Sequence, residues 1–210
     1  MDAKFQAVLD RYNQRAAAEA EEWASADRSR VHAWRDKYLL HVGEEVANFL
    51  RDLAIARKAT RIVELGTSYG YSTLFLADAA RVTGGRLLSF DVAADKQAYA
   101  REQLAAAGLD GFVDFHAGDA LELIGEVEGG FDLVLIDIWK DLYVRCFEAV
   151  RPKLAENGII AADNILRPVD ARPQAEAYRA AVRADPAMQT VLLPIGSGIE
   201  LSCLWTRAPA

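Results

Sequence analysis

The sequence predicts an α/β fold: a mostly parallel, seven-stranded sheet with helices at the N-terminus and an antiparallel hairpin at the C-terminus. Three observations lead to this prediction. Helical spacing of apolar residues dominates the first 57 residues, five short apolar runs then alternate with helical segments, and two further apolar runs close the chain. Strands that alternate with helices form right-handed βαβ units, so the five runs predict parallel strands.

The composition fits one globular domain with a sizeable core: 210 residues, 52% hydrophobic and 26% charged. The net charge of -7 disfavours nucleic acid as a partner. Two cysteines, Cys146 and Cys203, do not make a disulfide framework. The chain has neither a signal-peptide pattern nor a run of about 20 apolar residues, so we expect a cytoplasmic protein with no membrane partner. The protein could be a monomer or a homodimer.

The N-terminal part is predicted to be helical. Residues 2–24 are rich in Ala and Glu, and four apolar residues share one helical face: Phe5, Val8, Leu9 and Tyr12. Asp27 could cap a second helix that runs to about Leu40. A third helix is expected from Gly43 to Arg57. We divide the chain into a helical extension or lid, residues 1–42, and a main domain, residues 43–210. Residues 2–24 could form a lid, a dimer surface or a packed helix.

The main domain alternates strands and helices. The five predicted strands are Arg61–Leu65, Arg86–Asp91, Phe112–His116, Phe131–Asp137 and Gly158–Asp163. Helical segments are expected near 71–81, 95–107, 119–126 and 141–155. Gly196-Ser197-Gly198 separates Thr190–Ile195 from Ile199–Trp205, which is typical of a hairpin.

The first strand runs into a glycine loop that opens a helix, from Glu64 to Ser72. Glycine at such a turn lets the backbone approach a nucleotide ligand. The spacing between Gly66 and Gly70 is G-x-x-x-G, so the tight phosphate cradle of a dinucleotide site is not expected. Thr67 lies inside the loop. An ordinary turn between a strand and a helix is the alternative.

Acidic residues follow the next two strands. Asp91 ends the second strand about 20 residues past the loop, where a carboxylate can accept both ribose hydroxyls. Asp119 and Ala120 follow the third strand, where they could border an adenine. Both acids could instead cap the helices that follow them. The glycine loop and Asp91 together favour an adenosyl ligand.

Oxygen-bearing side chains also follow the fourth and fifth strands. Asp137 ends one strand, and Asp163 and Asn164 end the other. Because the carboxyl ends of adjacent parallel strands lie side by side, these three could surround one cation. A set with oxygen ligands alone suits Mg²⁺ better than Zn²⁺. Helix capping is again the alternative.

Lys140 and Trp139 follow Asp137 closely. Burial beside a cation would disfavour the ammonium form of Lys140, which could then accept a proton from a substrate hydroxyl. An isolated lysine is otherwise a solvated surface residue. Trp139 could pack in the core or wall an aromatic substrate.

These residues resemble the metal-dependent O-methyltransferases, which include caffeoyl-CoA and catechol O-methyltransferases. The E-x-G-x-x-x-G-Y-S loop of that family matches Glu64 to Ser72. Its D-x-x-K-x-x-Y motif matches Asp137 to Tyr143, and its D-N pair matches 163–164. The catechol branch is closer, with Trp139 in place, Pro168 five residues past the metal Asp and Val42-Gly43 before the third helix. The resemblance covers roughly residues 30 to 170.

The resemblance implies a Rossmann-like class I methyltransferase that transfers methyl from S-adenosylmethionine to a catechol-like diol. The cofactor-binding residues would be Val42, Glu64, Gly66, Thr67, Ser72, Asp91, Asp119, Ala120 and Asp137. Mg²⁺ or another hard divalent cation would be held by Asp137, Asp163 and Asn164. Lys140 would be the general base. The small aromatic diol would contact Tyr38, Trp139, Lys140, Asn164 and Pro168.

The sequence departs from the family pattern in three ways. Tyr38 and Leu40 stand where the family lid carries Trp and Met, and Ile138 stands where it has a His beside the adenine. The carboxylate that contacts the second hydroxyl should fall near Val191, and the nearest acid is Glu200. Alternative substrates are a caffeoyl-CoA-like ester, another hydroxylated natural product or a hydroxylated tRNA base. An NAD-dependent oxidoreductase and a cofactor-binding scaffold without activity are the other classes.

Overall fold

The computed structural model describes residues 2–25 and 37–205. The α-helices within these ranges are α1 (Ala3–Ser25), α2 (Glu44–Arg57), α3 (Tyr71–Thr83), α4 (Ala94–Ala107), α5 (Ala120–Glu126), α6 (Tyr143–Val150) and α7 (Arg172–Ala184). The strands are β1 (Arg61–Leu65), β2 (Arg86–Asp91), β3 (Val113–Ala117), β4 (Phe131–Ile136), β5 (Leu154–Ala162), β6 (Met188–Leu193) and β7 (Ile199–Leu204).

The seven strands form one sheet in the order β3-β2-β1-β4-β5-β7-β6. Strands β1 to β5 are parallel, β7 runs antiparallel to β5, and β6 pairs antiparallel with β7. The predicted fold class is therefore confirmed, including the C-terminal hairpin. The order places β1 between β2 and β4, which is the switch point where α/β sheets bind their ligands.

Several boundaries differ from the prediction. The fifth strand begins at Leu154, four residues before the predicted start, because Leu154 pairs with Phe131 across a bulge in the β4–β5 ladder. The predicted helix 141–155 is shortened to α6, with 3₁₀ turns at Lys140–Leu142 and Arg151–Lys153. Pro152 explains the C-terminal end of α6, since proline lacks the N–H that would continue the helix.

Helix α7 was not predicted from the sequence. Its buried residues Ala175, Tyr178 and Val182 follow the i, i+3, i+7 spacing of one helical face, and Pro173 lies in the first turn. The signal was therefore present, but the prediction placed no element between the fifth strand and Thr190. The helix packs against α6 and β6, and its Arg179 pairs with Glu200 on β7.

The core lies on both faces of the sheet, as the alternation along β4 makes clear. Leu133 and Leu135 pack with α1 to α4, whereas Val134 and Ile136 pack with α5 to α7. Both faces are fully covered, which explains why the strands are continuous apolar runs rather than alternating ones. The helices pack on the two faces of the sheet, and the loops that follow β1, β2 and β4 meet at its carboxyl edge.

The first half of α1 is a packed helix. All four apolar residues that predicted its inner face are buried, and the Tyr12 hydroxyl donates to the Tyr69 carbonyl oxygen at 2.6 Å. The second predicted helix, from Asp27 to about Leu40, lies mostly outside the described residues; residues 39–43 are not helical. The division at residue 42 stays a prediction. No described helix is long and apolar enough to cross a membrane.

Candidate active site

A cavity of about 610 Å³ opens at the carboxyl ends of the parallel strands. Its volume lies in the range of roughly 300–1,000 Å³ that is usual for cofactor and substrate sites. Nine of the predicted site residues line it: Gly66, Asp91, Asp119, Ala120, Asp137, Trp139, Lys140, Asn164 and Pro168. The other predicted residues are buried and are not among the lining residues: Tyr38, Val42, Glu64, Thr67, Ser72 and Asp163. The roles assigned to all of them stay predictions.

The glycine loop depends on Gly66. Its φ of +106° lies in the left-handed region, and a Cβ there would overlap the Asp137 carbonyl oxygen. Its N–H donates to the Phe90 carbonyl oxygen at 2.8 Å, and the Asp137 N–H donates to Leu65 at 2.9 Å. Glycine therefore allows the loops after β1, β2 and β4 to meet at the floor of the cavity.

Glu64 supports this loop from behind. Its fully buried carboxylate accepts hydrogen bonds from the hydroxyls of Ser72, Thr73 and Ser89, each at 2.6 Å. Burial raises the pKa of Glu64 to about 7. Thr67 joins the same network, with its hydroxyl 2.6 Å from that of Ser89. The predicted residues Glu64, Thr67 and Ser72 thus brace the loop, and Ser89 is a partner that the sequence did not reveal.

Asp91 and Asp119 face the cavity and also satisfy backbone groups. One Asp91 oxygen accepts from the Ser68 N–H at 2.7 Å and the other from the Ala93 N–H at 2.8 Å. Asp119 caps α5 by accepting from the Leu121 N–H at 2.8 Å. Each carboxylate has about four lone-pair sites, so ligand binding and capping are compatible.

Val92 and His41 are among the lining residues at this end that the sequence analysis missed. Val92 is 72% exposed although it is a large apolar residue, and it follows Asp91 directly. His41 also lines the cavity, with its ring 4.7 Å from that of Tyr71. Neither residue has a motif signal, because apolar and aromatic contacts to a ligand carry no fixed spacing in the sequence.

A buried carboxylate without hydrogen-bond partners in the described part of the chain directly precedes the lining residue Asn164, at the acidic end of the cavity. Asp163 is 1% exposed, and neither of its carboxylate oxygens has a hydrogen-bond partner among the described residues. Burial and the nearby Asp137 charge raise the pKa of Asp163 to about 7. Burial likewise raises the pKa of Asp137. Buried polar atoms are nearly always satisfied, so this one requires an explanation.

Lys140 lies at the centre of this end. Its Nζ donates to Asn164 Oδ1 at 2.8 Å and to the Tyr143 hydroxyl at 2.6 Å, and it lies 3.9 Å from Asp137 Oδ1. The Tyr143 hydroxyl donates to the Asp163 carbonyl oxygen at 3.0 Å. The Lys140 side chain is only 12% exposed, so it is not a solvated surface lysine. The structure thus brings Asp137, Lys140, Asp163 and Asn164 together, as the sequence predicted.

The apolar wall of this end includes Trp139, which is 50% exposed, together with Leu40 and Pro168. Tyr38 was predicted to join this wall, but its buried ring packs edge-on against Trp23, 5.3 Å away, and is not among the lining residues.

The positions considered for a further carboxylate are not in the cavity. Glu200 is fully buried and pairs with Arg179 at 2.8 Å, and the Thr190 hydroxyl donates to it at 2.9 Å. Val191 is half exposed on β6 and also lies outside the lining. Glu200 is therefore committed to a structural ion pair, and a second-hydroxyl carboxylate has no counterpart at either position.

The sheet order, the glycine loop at the switch point and the strand-end acids define a Rossmann-like class I methyltransferase. The family model described as "Methyltransferase domain" matches residues 63–165. The family model and the relatives described next support an S-adenosylmethionine-dependent O-methyltransferase family for this chain.

Two relatives and one solved structure illustrate the relationship. A caffeoyl-CoA O-methyltransferase from Petroselinum crispum is 28% identical over 81% of this chain and 78% of its own length. A catechol O-methyltransferase from Niastella koreensis is 33% identical over 61% of this chain and 59% of its own length. The O-methyltransferase from Bacillus cereus in complex with SAH shares the fold, with a TM-score of 0.76 and 24% identity over 94% of this chain and 90% of that one.

Proposed function

We propose that this O-methyltransferase methylates one hydroxyl of a catechol-like vicinal diol, with Mg²⁺ as a metal cofactor and Lys140 as the general base. The observation that carries the proposal is the buried, unpartnered carboxylate of Asp163 beside Asp137, Asn164 and Lys140. Two buried carboxylates so close together raise the free energy of the folded protein, and a metal cation bound between them would lower it.

The donor set fits a hard divalent cation. Asp137, Asp163 and Asn164 would supply oxygen ligands, which Mg²⁺ prefers. The Asn164 amide oxygen has two lone pairs, so its bond to Lys140 leaves one for a cation. Among the described residues no group of three or more His, Cys, Asp or Glu side chains could hold a metal ion, so a cation here would depend on the Asn164 amide oxygen besides the two carboxylates.

When bound, Mg²⁺ acts as a Lewis acid that lowers the pKa of a coordinated hydroxyl. Lys140 in its neutral form would accept the proton from that hydroxyl at Nζ. Tyr143 and Asn164 hold Nζ in place through bonds of 2.6 and 2.8 Å. The deprotonated oxygen would then attack the methyl carbon as the carbon–sulfur bond breaks, which yields a methyl ether and S-adenosylhomocysteine.

The remaining cavity residues would orient the two substrates. Asp91, with lone pairs left over from its two backbone bonds, would accept the ribose hydroxyls of the cofactor. Trp139 and Pro168 would flank the aromatic ring of the diol. Exclusion of water from this apolar wall would strengthen the electrostatic interactions around the reacting oxygen.

A caffeoyl-CoA-like ester is the second candidate substrate. The longer alignment favours it: the Petroselinum crispum enzyme aligns with 81% of this chain, and the Niastella koreensis catechol enzyme with 61%. The net charge of -7 weighs against a large anionic substrate such as tRNA. Both candidates contain a vicinal diol, so the metal and Lys140 would act in the same way on either.

The test is a methyl-transfer assay on catechol, caffeoyl-CoA and a monohydroxylated phenol, each with Mg²⁺ and with excess EDTA. We expect turnover of a vicinal diol in Mg²⁺, none of the phenol, and loss of activity in EDTA that added Mg²⁺ restores. Full turnover in EDTA would refute the metal assignment. Turnover of caffeoyl-CoA without turnover of catechol would favour the second candidate.

A further inference from the structure

Arg167 lines the cavity but has no part in the proposed reaction. It is exposed, and it makes no hydrogen bond or ion pair with any residue in the ranges 2–25 and 37–205. It lies three residues after Asn164 and directly before Pro168. An arginine with uncommitted donors therefore stands between a predicted metal ligand and the predicted ring wall.

The backbone leading to Arg167 is held in place by the hairpin turn between β6 and β7. The Ile165 N–H donates to the Gly198 carbonyl oxygen and the Leu166 N–H to the Ser197 carbonyl oxygen, both at 2.9 Å. Gly198 has a φ of +92°, and a Cβ there would lie 2.6 Å from the Leu166 side chain. This close approach fixes the backbone that leads directly into Arg167, which lines the cavity.

The other two cationic side chains of the lining are already engaged. Lys140 bonds to Asn164 and Tyr143. Lys96 is only 8% exposed, and its Nζ lies 5.3 Å from the centre of the Tyr69 ring at the cofactor end. Of the lysine and arginine side chains among the described lining residues, Arg167 is thus the one whose charge can bind a ligand. A guanidinium presents paired donors that match the two oxygens of a carboxylate.

We propose that Arg167 is a specificity-determining residue that selects catechols with a carboxylate on the ring or on a short side chain. This inference rests on the proposed function, because the metal and Lys140 would fix the diol while Arg167 binds the opposite end of the substrate. The same positive charge disfavours cationic catecholamines. Dihydroxybenzoic and dihydroxycinnamic acids have the required chemistry.

The test compares steady-state kinetics on 3,4-dihydroxybenzoate, unsubstituted catechol, dopamine and caffeoyl-CoA. The variants are Arg167→Ala, Arg167→Glu and the control Arg172→Ala, which removes an exposed charge from the same segment outside the cavity. Arg167→Ala should raise KM for 3,4-dihydroxybenzoate about tenfold, the scale of one charge-assisted pair at a partly solvated site. KM for catechol should stay within about twofold, and Arg167→Glu should favour dopamine.

Three outcomes would overturn the inference. One is an equal rise in KM for catechol and 3,4-dihydroxybenzoate, which would mean that Arg167 shapes the site rather than reads charge. The second is an effect confined to caffeoyl-CoA, which would assign the anion to coenzyme A phosphates. The third is an equal effect of Arg172→Ala, which would mean that general surface charge is responsible.

Binding measurements separate this inference from the proposed function. If the wild-type chain methylates none of the catechols, the proposed function fails, and calorimetric titration of 3,4-dihydroxybenzoate with S-adenosylhomocysteine and Mg²⁺ present takes the place of kinetics. Affinity that falls about tenfold in Arg167→Ala would still support the inference. Binding that is equal in the wild type and the variant, or no binding at all, would overturn it.

Discussion

At the scale of single residues, the most informative side chain is Lys140. Its amine is held within 2.8 Å of both Asn164 and Tyr143, and proton transfer requires a base placed in this way. Lys140→Ala should lower kcat by about 10²–10⁴-fold, the usual contribution of a general base. The measurement is single-turnover methyl transfer at saturating diol and cofactor.

Lys140→Arg is the control that separates proton transfer from charge. An arginine keeps the positive charge but does not release its proton at accessible pH. The base assignment predicts that Lys140→Arg is about as inactive as Lys140→Ala, while S-adenosylhomocysteine still binds to both. Substantial turnover by Lys140→Arg would instead make the residue an electrostatic or positioning group.

The buried environment of Glu64 makes the stability of the folded protein depend on pH. Burial raises its pKa from 4.5 to about 7, so the folded chain binds this proton more tightly than the unfolded chain. The stabilisation from this group is therefore complete below about pH 4.5 and is lost as the pH rises through about 7. The side chain of Glu64→Gln cannot titrate. Between pH 4.5 and 7 the free energy of unfolding of this variant should therefore fall less than that of the wild type, and the difference should be on the order of 2 kcal/mol.

Denaturant unfolding at several pH values measures this difference. Glu102→Gln is the matched control, because Glu102 is exposed on α4 and the substitution makes the same change in formal charge. Its profile should run parallel to that of the wild type. A Glu64→Gln profile that also runs parallel would show that Glu64 does not carry the proton in the folded state.

At the scale of elements, the sequence allowed the order of strands and helices to be predicted, because apolar runs and helical spacing report burial directly. It also located Asp137, Asp163 and Asn164, since residues just past parallel strands meet at one edge. It could not show that Asp163 lacks partners or that Glu200 pairs with Arg179. The ion pair depends on α7, which was itself missed, and the missing partners depend on side-chain positions that strand spacing does not report.

The loop between β1 and α3 gives an element-scale prediction. Gly66→Ala places a Cβ against the Asp137 carbonyl oxygen and also strains a φ of +106°. We expect a loss of about 3 kcal/mol or more in the free energy of unfolding. Gly108→Ala is the control, with a φ of +71° but nothing within 4 Å of the added Cβ, and should lose only about 1 kcal/mol.

Denaturant midpoints and S-adenosylhomocysteine affinity measure the two glycine variants. Gly66→Ala should weaken cofactor binding as well as stability, because the overlap displaces the loop that carries Asp137. Gly108→Ala lies at the far end of α4 and should bind the cofactor normally. Equal losses of stability in the two variants would mean that backbone strain, rather than the close approach of the two loops, dominates at Gly66.

At the scale of the whole molecule, the fold buries an acidic side chain, Asp163, at the carboxyl edge of the sheet, and this burial destabilises the folded state. Asp163 is 1% exposed, its two oxygens lack hydrogen-bond partners among the described residues, and burial beside Asp137 raises its pKa to about 7, so ionisation of this group is unfavourable without a cation. Asp163→Asn should raise the free energy of unfolding without metal by about 1–3 kcal/mol while it abolishes methyl transfer. The measurement is thermal unfolding and activity of the variant beside the wild type, each in EDTA and in Mg²⁺.

The response to Mg²⁺ distinguishes a metal site from a merely strained one. A ligand that binds only the folded state raises its apparent stability, so Mg²⁺ should raise Tm of the wild type and leave Tm of Asp163→Asn nearly unchanged. Asp170→Asn, which removes an exposed carboxylate from the following loop, should respond to Mg²⁺ like the wild type. If Mg²⁺ raised Tm of all three proteins equally, the cation would be acting on the acidic surface as a whole. The fold would then stabilise Asp163 in some other way, such as by keeping it protonated.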